Sequence, residues 1–394
     1  MATGNDRETR AAMESSTEQE IAAFRDSLAG WYRSAGRNLP WRDDRSDPYR
    51  VVVSEMMLVQ TTVAAVVPYY HRFLERFPTI RALAEADEAD VLKQWEGLGY
   101  YRRARQLQQF ARSVVSLHDG SIPNDQRALM DLPGIGRYIA GAVRSFSFDE
   151  PAPILEANTI RLLARLIGLR EVVTTPSSQK RLWAVAEKLV PLNAPGAFNQ
   201  ALMDLGATVC TPRSPNCPAC PVSKFCASCR DDLVSLIPTR LPRRPPQPGE
   251  ELTLLLEHPS DGSIYLTQRS DVGLWANFWE PPTFWVSGAD PAQRASAGFA
   301  SENSAGSAVD MVRSRLGVGI RPDALKEIGT FGYTVTRYAM RLHVIRAIVD
   351  LDSEAIATTM HSESAEGFRF VPREAIGALT LSSVHRKALR QFMK

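Results

Sequence analysis

The chain has 394 residues, 44% hydrophobic and 23% charged, with a formal net charge of +2, a balance that suits a soluble globular protein of about two or three domains. No run approaches the roughly 18 to 20 uninterrupted apolar residues of a membrane span, and the opening MATGNDRETRAAMESSTEQE lacks the apolar core of a signal peptide. A membrane protein and a secreted protein are therefore set aside and a cytoplasmic location is expected, while a nucleic-acid partner has to be argued from local surfaces, since bulk charge does not supply one.

In chain order, residues 1–20 are polar and expected to be disordered, and a helical region follows over 21–230. Within it VVVSEMMLVQTT, residues 51–62, is an apolar run broken by one carboxylate, Glu55. Either an amphipathic helix shows Glu55 to water, or the charge is desolvated at a cost of several kcal/mol and held for chemistry. YYRRAR sets Arg102, Arg103 and Arg105 beside Tyr100 and Tyr101, as in a phosphate-facing loop or a solvated helix start. In LMDLPGIGRYIAGAVRSFSF, residues 129–148, the tight turn Leu132-Pro133-Gly134-Ile135-Gly136 precedes a helical run from Arg137 to Phe146. This is helix–hairpin–helix grammar, in which turn N–H groups and a helix N-terminus hold a phosphate without reading base sequence. A Gly-rich turn also serves as mere punctuation between helices.

Cys210, Cys217, Cys220, Cys226 and Cys229 all lie in CTPRSPNCPACPVSKFCASC. In a reducing compartment so tight a cluster reads as a metal site. The uneven spacing C-x6-C-x2-C-x5-C suits one loop around an iron–sulfur cluster with Cys229 spare, and a zinc ribbon is the alternative. Next, LIPTRLPRRPPQPGEE marks a stiff, basic linker over about 231–250. Beyond it, LTLLLEHPSDGSIYLTQRS alternates as strands around a turn and LHVIRAIV, residues 342–349, reads as a further strand.

The segments LPWR (39–42), SEMMLVQT (54–61), GLGYYRRARQL (97–107), LPGIGRYIAGAV (132–143) and the cysteine loop resemble, in this order, a MutY-type adenine DNA glycosylase of the helix–hairpin–helix, endonuclease III superfamily. The resemblance is strong over about 25–230 and weaker beyond. It implies a mainly α fold: a two-lobed glycosylase core over 21–230 with a [4Fe-4S] loop at 210–226, then a C-terminal α+β Nudix-like domain over 251–394. The implied activity is monofunctional excision of adenine mispaired with 8-oxoguanine or guanine. Endonuclease III carries a lysine where this chain has Tyr138, and without an amine no Schiff base and no strand-cleaving lyase step is expected.

On this resemblance Glu55 is the acid that protonates the leaving adenine, its apolar flanks raising its pKa. Cys210, Cys217, Cys220 and Cys226 would ligate the cluster. Gln60 and Tyr100 match side chains that insert into the duplex, Leu132, Gly134 and Gly136 match the phosphate-binding hairpin, and Trp41, Arg42 and Asp204 match the base pocket. The implied partner is double-stranded DNA with a mismatched or damaged base pair, met by a monomer, with the linker a candidate dock for a repair or replication partner.

Three positions depart from the family. In PILEANTIRLLARL, Glu156 stands where the family has a sugar-side aspartate, with Asn158 retained; an extra methylene moves the carboxylate by roughly 1.5 Å, and misplacement of about 1 Å can cost on the order of a hundredfold. Val59 replaces a glutamine. In GYTVTRYAM, Val335-Thr336-Arg337 replaces the Phe-Ser-His that senses oxidised guanine, leaving Thr336 and Arg337 as candidate contacts. The helical stretch AVDMVRSRLGV offers Asp310 alone toward a Nudix metal site, so that domain is expected to recognise and not hydrolyse. These departures leave two alternatives: a glycosylase of altered base specificity, for example toward thymine, or a catalytically weakened mismatch-binding protein.

Overall fold

A computed structural model gives the fold and describes residues 13–14, 16–43, 47–239, 241–242, 244–288, 319–320, 326–350 and 368–392. Its contacts divide the chain into Met1–Val91 with Arg102–Pro242, and Leu92–Tyr101 with Arg243–Lys394. Asp310 lies outside the described residues.

The first unit is helical. Helix α1 (Glu18–Ala35) starts at a capping box in which Thr17 and Glu20 satisfy each other's backbone N–H groups. Order begins before α1, inside the segment read as disordered: Met13 is buried in the core, and Glu14 pairs with Arg181. After α2 (Pro48–Leu58) come α3 (Val63–Arg76), α4 (Ile80–Glu85), α5 (Glu88–Trp95), α6 (Arg102–His118), α7 (Gln126–Met130) and α8 (Arg137–Ser147), and then α9 (Ala157–Leu166), α10 (Pro176–Leu189), α11 (Pro195–Thr208) and α12 (Ala227–Arg230). One core gathers Phe24 and Leu28 of α1, Leu162 and Leu163 of α9, Leu182 of α10 and Leu205 of α11 with Val222 and Ile237 of the segment beyond. That segment is less free than a linker: Thr239 bridges Val172 and its hydroxyl donates to the Arg170 carbonyl.

Arg103 does not face phosphate. Its side chain is buried, and one guanidinium nitrogen donates to the carbonyls of Met56, Met57 and Val59 at 2.7 to 2.9 Å, satisfying the orphan acceptors at the end of α2. Arg105 pairs with Glu88 at 2.8 Å. Both arginines are therefore occupied within the fold.

In the second unit β1 (Gln247–Glu257) begins within the stretch read as linker. Its early residues are recruited because β1 runs parallel to β7 (Tyr338–Asp350), from Gln247 opposite Tyr338 to Glu257 opposite Ile348. Gly249 permits this packing, since a Cβ there would meet Trp285 at 2.7 Å and Met340 at 2.9 Å. The sheet is completed by β2 (Ile264–Gln268), β3 (Trp279–Glu280), β4 (Thr283–Gly288), β5 (Gly319–Ile320), β6 (Lys326–Val335) and β8 (Phe368–Val371), and α13 (Ser383–Phe392) follows it. Leu255, Leu266, Leu342 and Val344 of the sheet share a core with Val384, Ala388 and Leu389 of α13. Here burial raises the Glu280 carboxyl to about 7 although Arg269 lowers it, with both carboxylate oxygens accepting from Arg269 at 2.8 and 2.7 Å.

Candidate active site

Helix α2 is apolar on nearly every face, with Val51, Val52, Val53, Met56 and Met57 all buried, so it lies inside the unit and has no solvated stripe. Glu55 is accordingly only 3% exposed. Desolvation raises its carboxyl from 4.5 to about 7, against the lowering effect of a hydrogen bond from Tyr138; the nearby Glu156 charge raises it further. The Tyr138 hydroxyl donates to Glu55 Oε2. Burial pushes the Tyr138 phenol itself well above its ordinary range, aided by Glu55 and Glu156. It is a hydrogen-bond donor and not a base.

Glu55 opens onto a pocket lined by Trp41, Arg42, Val51, Ser54, Phe146, Gln200 and Met203. Trp41 and Arg42 arrive there on a short 3-10 turn, Pro40–Arg42. Asp204 is not in the lining. It sits beneath, receiving the Arg42 guanidinium in two bonds of 2.9 Å and Arg37 Nε at 2.8 Å. Burial raises the Asp204 carboxyl, but the bonds from Arg42 and Arg37 outweigh it and the net shift is downward. Gln200 is 2% exposed and its amide oxygen accepts from the Tyr32 hydroxyl at 2.9 Å, which orients the amide. Sequence reasoning passed over Gln200, Phe146 and Met203; Gln200 stands one helical turn before Asp204 on α11, a spacing that signals a shared face.

Glu156 is the N-cap of α9. Its carboxylate accepts from the backbone N–H of Asn158 at 2.8 Å and of Thr159 at 3.0 Å, with a 3.3 Å bond from the Asn158 amide. Burial raises its pKa, and these bonds and Arg161 pull it back. Asn158 is tied to the Glu156 carboxylate through its backbone N–H and its side-chain amide. Its amide oxygen accepts from Arg161 at 2.8 Å, and a Cβ on Gly206 of α11 would collide with it at 2.8 Å. It is a brace between the cap and α11.

The hairpin is built as its glycines require. Gly134 has φ +77°, and a Cβ there would meet Met56 at 2.6 Å and Gln106 at 3.0 Å. Leu132 is buried at the turn, and its carbonyl accepts from Ile135 N–H. Gly136 differs: its φ of −93° as N-cap of α8 is open to any residue, and a Cβ would meet nothing within 4 Å. Gln60 and Tyr100 both hold left-handed backbone, at φ 58° and 49°, and Tyr100 is 57% exposed. Such conformations are uncommon in non-glycine residues and cluster at functional sites. Thr336, at φ 50°, and Arg337 form the two-residue turn between β6 and β7, where Val335 pairs with Tyr338. The Arg337 guanidinium donates to the Tyr338 hydroxyl at 2.9 and 3.1 Å.

Cys210, Cys217, Cys220, Cys226 and Cys229 line one pocket with Arg165 and Val222. Arg165 donates to Cys210 Sγ at 3.2 Å. Among the described residues no group of three or more His, Cys, Asp or Glu side chains is arranged to hold a metal ion.

A buried carboxyl at the wall of a pocket, and a glycine hairpin on the same unit, are features of enzymes that act on DNA bases. Residues 53–188 match the HhH-GPD superfamily of base excision DNA repair proteins, and residues 253–391 match the NUDIX domain. Adenine DNA glycosylase of Homo sapiens is 36% identical over 318 residues, covering 67% of this chain and 58% of that protein. The mouse enzyme of that name is 36% identical over 313 residues, 67% of this chain and 61% of its own length. The one from Buchnera aphidicola subsp. Schizaphis graminum is 34% identical over 265 residues, 67% of this chain and 76% of its own. A solved thermostable thymine-DNA glycosylase has a TM-score of 0.50 at 31% identity, covering 54% of this chain and 98% of that one. The chain belongs to the adenine DNA glycosylase family. It spans 61% and 58% of the length of its mouse and human relatives.

Proposed function

We propose that this protein is a monofunctional DNA glycosylase of base excision repair that hydrolyses the N-glycosidic bond of adenine opposite 8-oxoguanine or guanine. The observation that carries the reading is Glu55: a fully buried carboxyl, raised to about 7, at the wall of a pocket. Such a group keeps its proton near neutrality and can pass it to a ring nitrogen of the leaving base, which departs poorly as an anion. Tyr138 holds one carboxyl oxygen through its hydroxyl and fixes the acid's rotamer. Glu156, anchored by the first N–H groups of α9, supplies negative charge for an oxocarbenium-like transition state. With Tyr138 in the place of an amine, water is the nucleophile and the strand is left uncut.

The substrate in this reading is duplex DNA with a mismatched pair, gripped by the 132–136 hairpin through phosphate and opened by Gln60 and Tyr100. The 336–337 turn meets the opposing base. Four of the cysteines, Cys210, Cys217, Cys220 and Cys226, would hold a [4Fe-4S] cluster; five thiols facing one pocket support it. Such a cluster supplies electron-transfer capacity and a rigid loop when bound. A cytoplasmic, nucleoid-associated monomer fits this role.

Single-turnover release of free base from duplexes carrying A, T or U opposite 8-oxoguanine, G or C tests the reading. Adenine release without strand scission until hot alkali is expected. Preferred release of thymine from G·T, the activity named for the solved relative of similar fold, would replace it. Tight mismatch binding with no release of any base would make it a binding protein.

A further inference from the structure

We infer that Arg386 of α13 is a positioning residue for Tyr100: through Glu96 it holds the turn from which the tyrosine enters the base stack. The inference rests on the insertion of Tyr100 into the duplex proposed above. The contacts of the chain set Leu92–Tyr101 with Arg243–Lys394, and not with the residues that precede and follow it in sequence.

Within that second unit the turn is gripped at both ends. The Arg386 guanidinium meets the Glu96 carboxylate with Nε on one oxygen and Nη2 on the other, the latter at 2.8 Å, and the two side chains are only 16% and 12% exposed. A two-bond pairing of this kind fixes orientation as well as distance. The same Nη2 donates to the Leu379 carbonyl at 2.8 Å. Lys93 Nζ adds a second strut, reaching Glu96 at 3.0 Å and the carbonyls of Gly377 and Leu379 at 2.6 and 3.0 Å. At the other end the buried Tyr101 ring packs edge-on against buried Phe278, with centroids 4.5 Å apart. The Tyr101 hydroxyl accepts from the Gly97 N–H at 3.0 Å, and the Trp95 indole donates to the Gly99 carbonyl at 3.2 Å, so the turn is closed at its base. Between these anchors Gly97, Gly99 and Tyr100 hold φ of 105°, 74° and 49°. A tyrosine stays in that region only where its surroundings keep it there, yet Tyr100 is itself 57% exposed. The strained residue is the one that the grip leaves projecting. Helix α13 also sets Ala388 and Leu389 in a core with Phe331 of β6, the strand that ends at the 336–337 turn. One helix thus braces both the tyrosine that enters the stack and the strand whose turn meets the opposing base.

The test uses the full chain and a duplex with adenine opposite 8-oxoguanine and 2-aminopurine at the neighbouring step, whose fluorescence rises as that step unstacks. Fluorescence is read beside single-turnover base release. Arg386→Ala is expected to reduce the fluorescence rise and to slow release by about three- to tenfold, with duplex affinity within about twofold of wild type. On a Tyr100→Ala background the same change should slow release by less than about twofold, because the group it acts through is already gone. An undiminished loss on that background overturns the inference, since a residue that merely supports the fold slows both proteins alike. Should Arg386→Ala be insoluble, Glu96→Gln decides by the same pair of measurements. Tyr100→Ala with wild-type fluorescence and release sinks the insertion reading and this inference with it, whereas a slowed Tyr100→Ala with additive loss sinks this inference alone. The fluorescence reports insertion whether or not a base is released, so a failure of the glycosylase reading is told apart from both.

Discussion

Glu55 and Tyr138 share one hydrogen bond, and its sign makes a test. The bond lowers the Glu55 pKa while burial, the larger effect, raises it to about 7. Base release should therefore fall as pH rises through about 7, since the acid form does the work. Glu55→Gln should reduce single-turnover release by at least a thousandfold while leaving duplex affinity within a few-fold, because phosphate contacts supply most of it. Tyr138→Phe should move the alkaline limb of the pH–rate profile to higher pH; an unmoved limb would show that another group sets it. Glu156 separates two readings in the same assay. If its cap geometry is adapted to glutamate, Glu156→Asp slows release by about tenfold or more, and faster release would show that the longer side chain is a handicap.

The burial of Glu55 was left open by its own segment, which a solvated amphipathic helix also explains, and became legible only through the resemblance. Gln200 was passed over although it stands one turn from Asp204, because glutamine in an apolar helix carries no signal until a pocket faces it. The cap role of Glu156 was not legible either: Asp, Asn, Ser and Thr are the usual caps, and nothing local says that a glutamate will curl onto its own helix. Arg103 misled for a related reason. A cationic run next to aromatics looks the same whether it meets phosphates or the carbonyl end of a distant helix.

At the scale of elements, the two hairpin glycines divide stability from binding. Gly134→Ala should destabilise the fold by about 1 to 3 kcal/mol, since it adds a methyl against Met56 at a positive φ. Gly136→Ala meets no atom of the protein and sits at an ordinary φ, so its melting temperature should stay within a degree or two while DNA affinity falls. A thermal melt beside a salt-dependent binding titration checks both; equal losses of stability would deny Gly136 a phosphate. In the second unit Thr336→Ala and Arg337→Ala should change the ratio of rates for adenine opposite 8-oxoguanine and opposite guanine, with little change in the limiting rate on the better substrate. Residues 342–349 of β7 were readable as a strand in the sequence, but their pairing with β6 across this turn was not. Nor was the parallel partnership of β1 with β7, because it joins segments about ninety residues apart and moves the start of β1 into Pro-rich sequence.

At the scale of the molecule, buried acids make stability depend on pH. Glu55 titrates near 7 in the folded chain against a reference of 4.5. The native state thus binds its proton more tightly than the unfolded one. That contribution is complete below about 4.5 and lost as pH rises through about 7. Glu280 behaves alike, whereas buried His385, lowered from 6.5 to about 3, costs stability as pH falls through that window. Replacing Glu55 by Gln should therefore raise the melting temperature at pH 8 by a few degrees and leave it nearly unchanged at pH 5. An equal effect at both values would place the proton elsewhere.

The packing of α1 also sets a clock. Phe24 lies edge-on to Phe198 and Phe225, with ring centroids 6.4 and 5.7 Å away, so on the ribosome α1 waits for partners some two hundred residues later. At about 5 to 20 residues per second that delay lasts on the order of ten to forty seconds. Through it the apolar face of α1 stays uncovered.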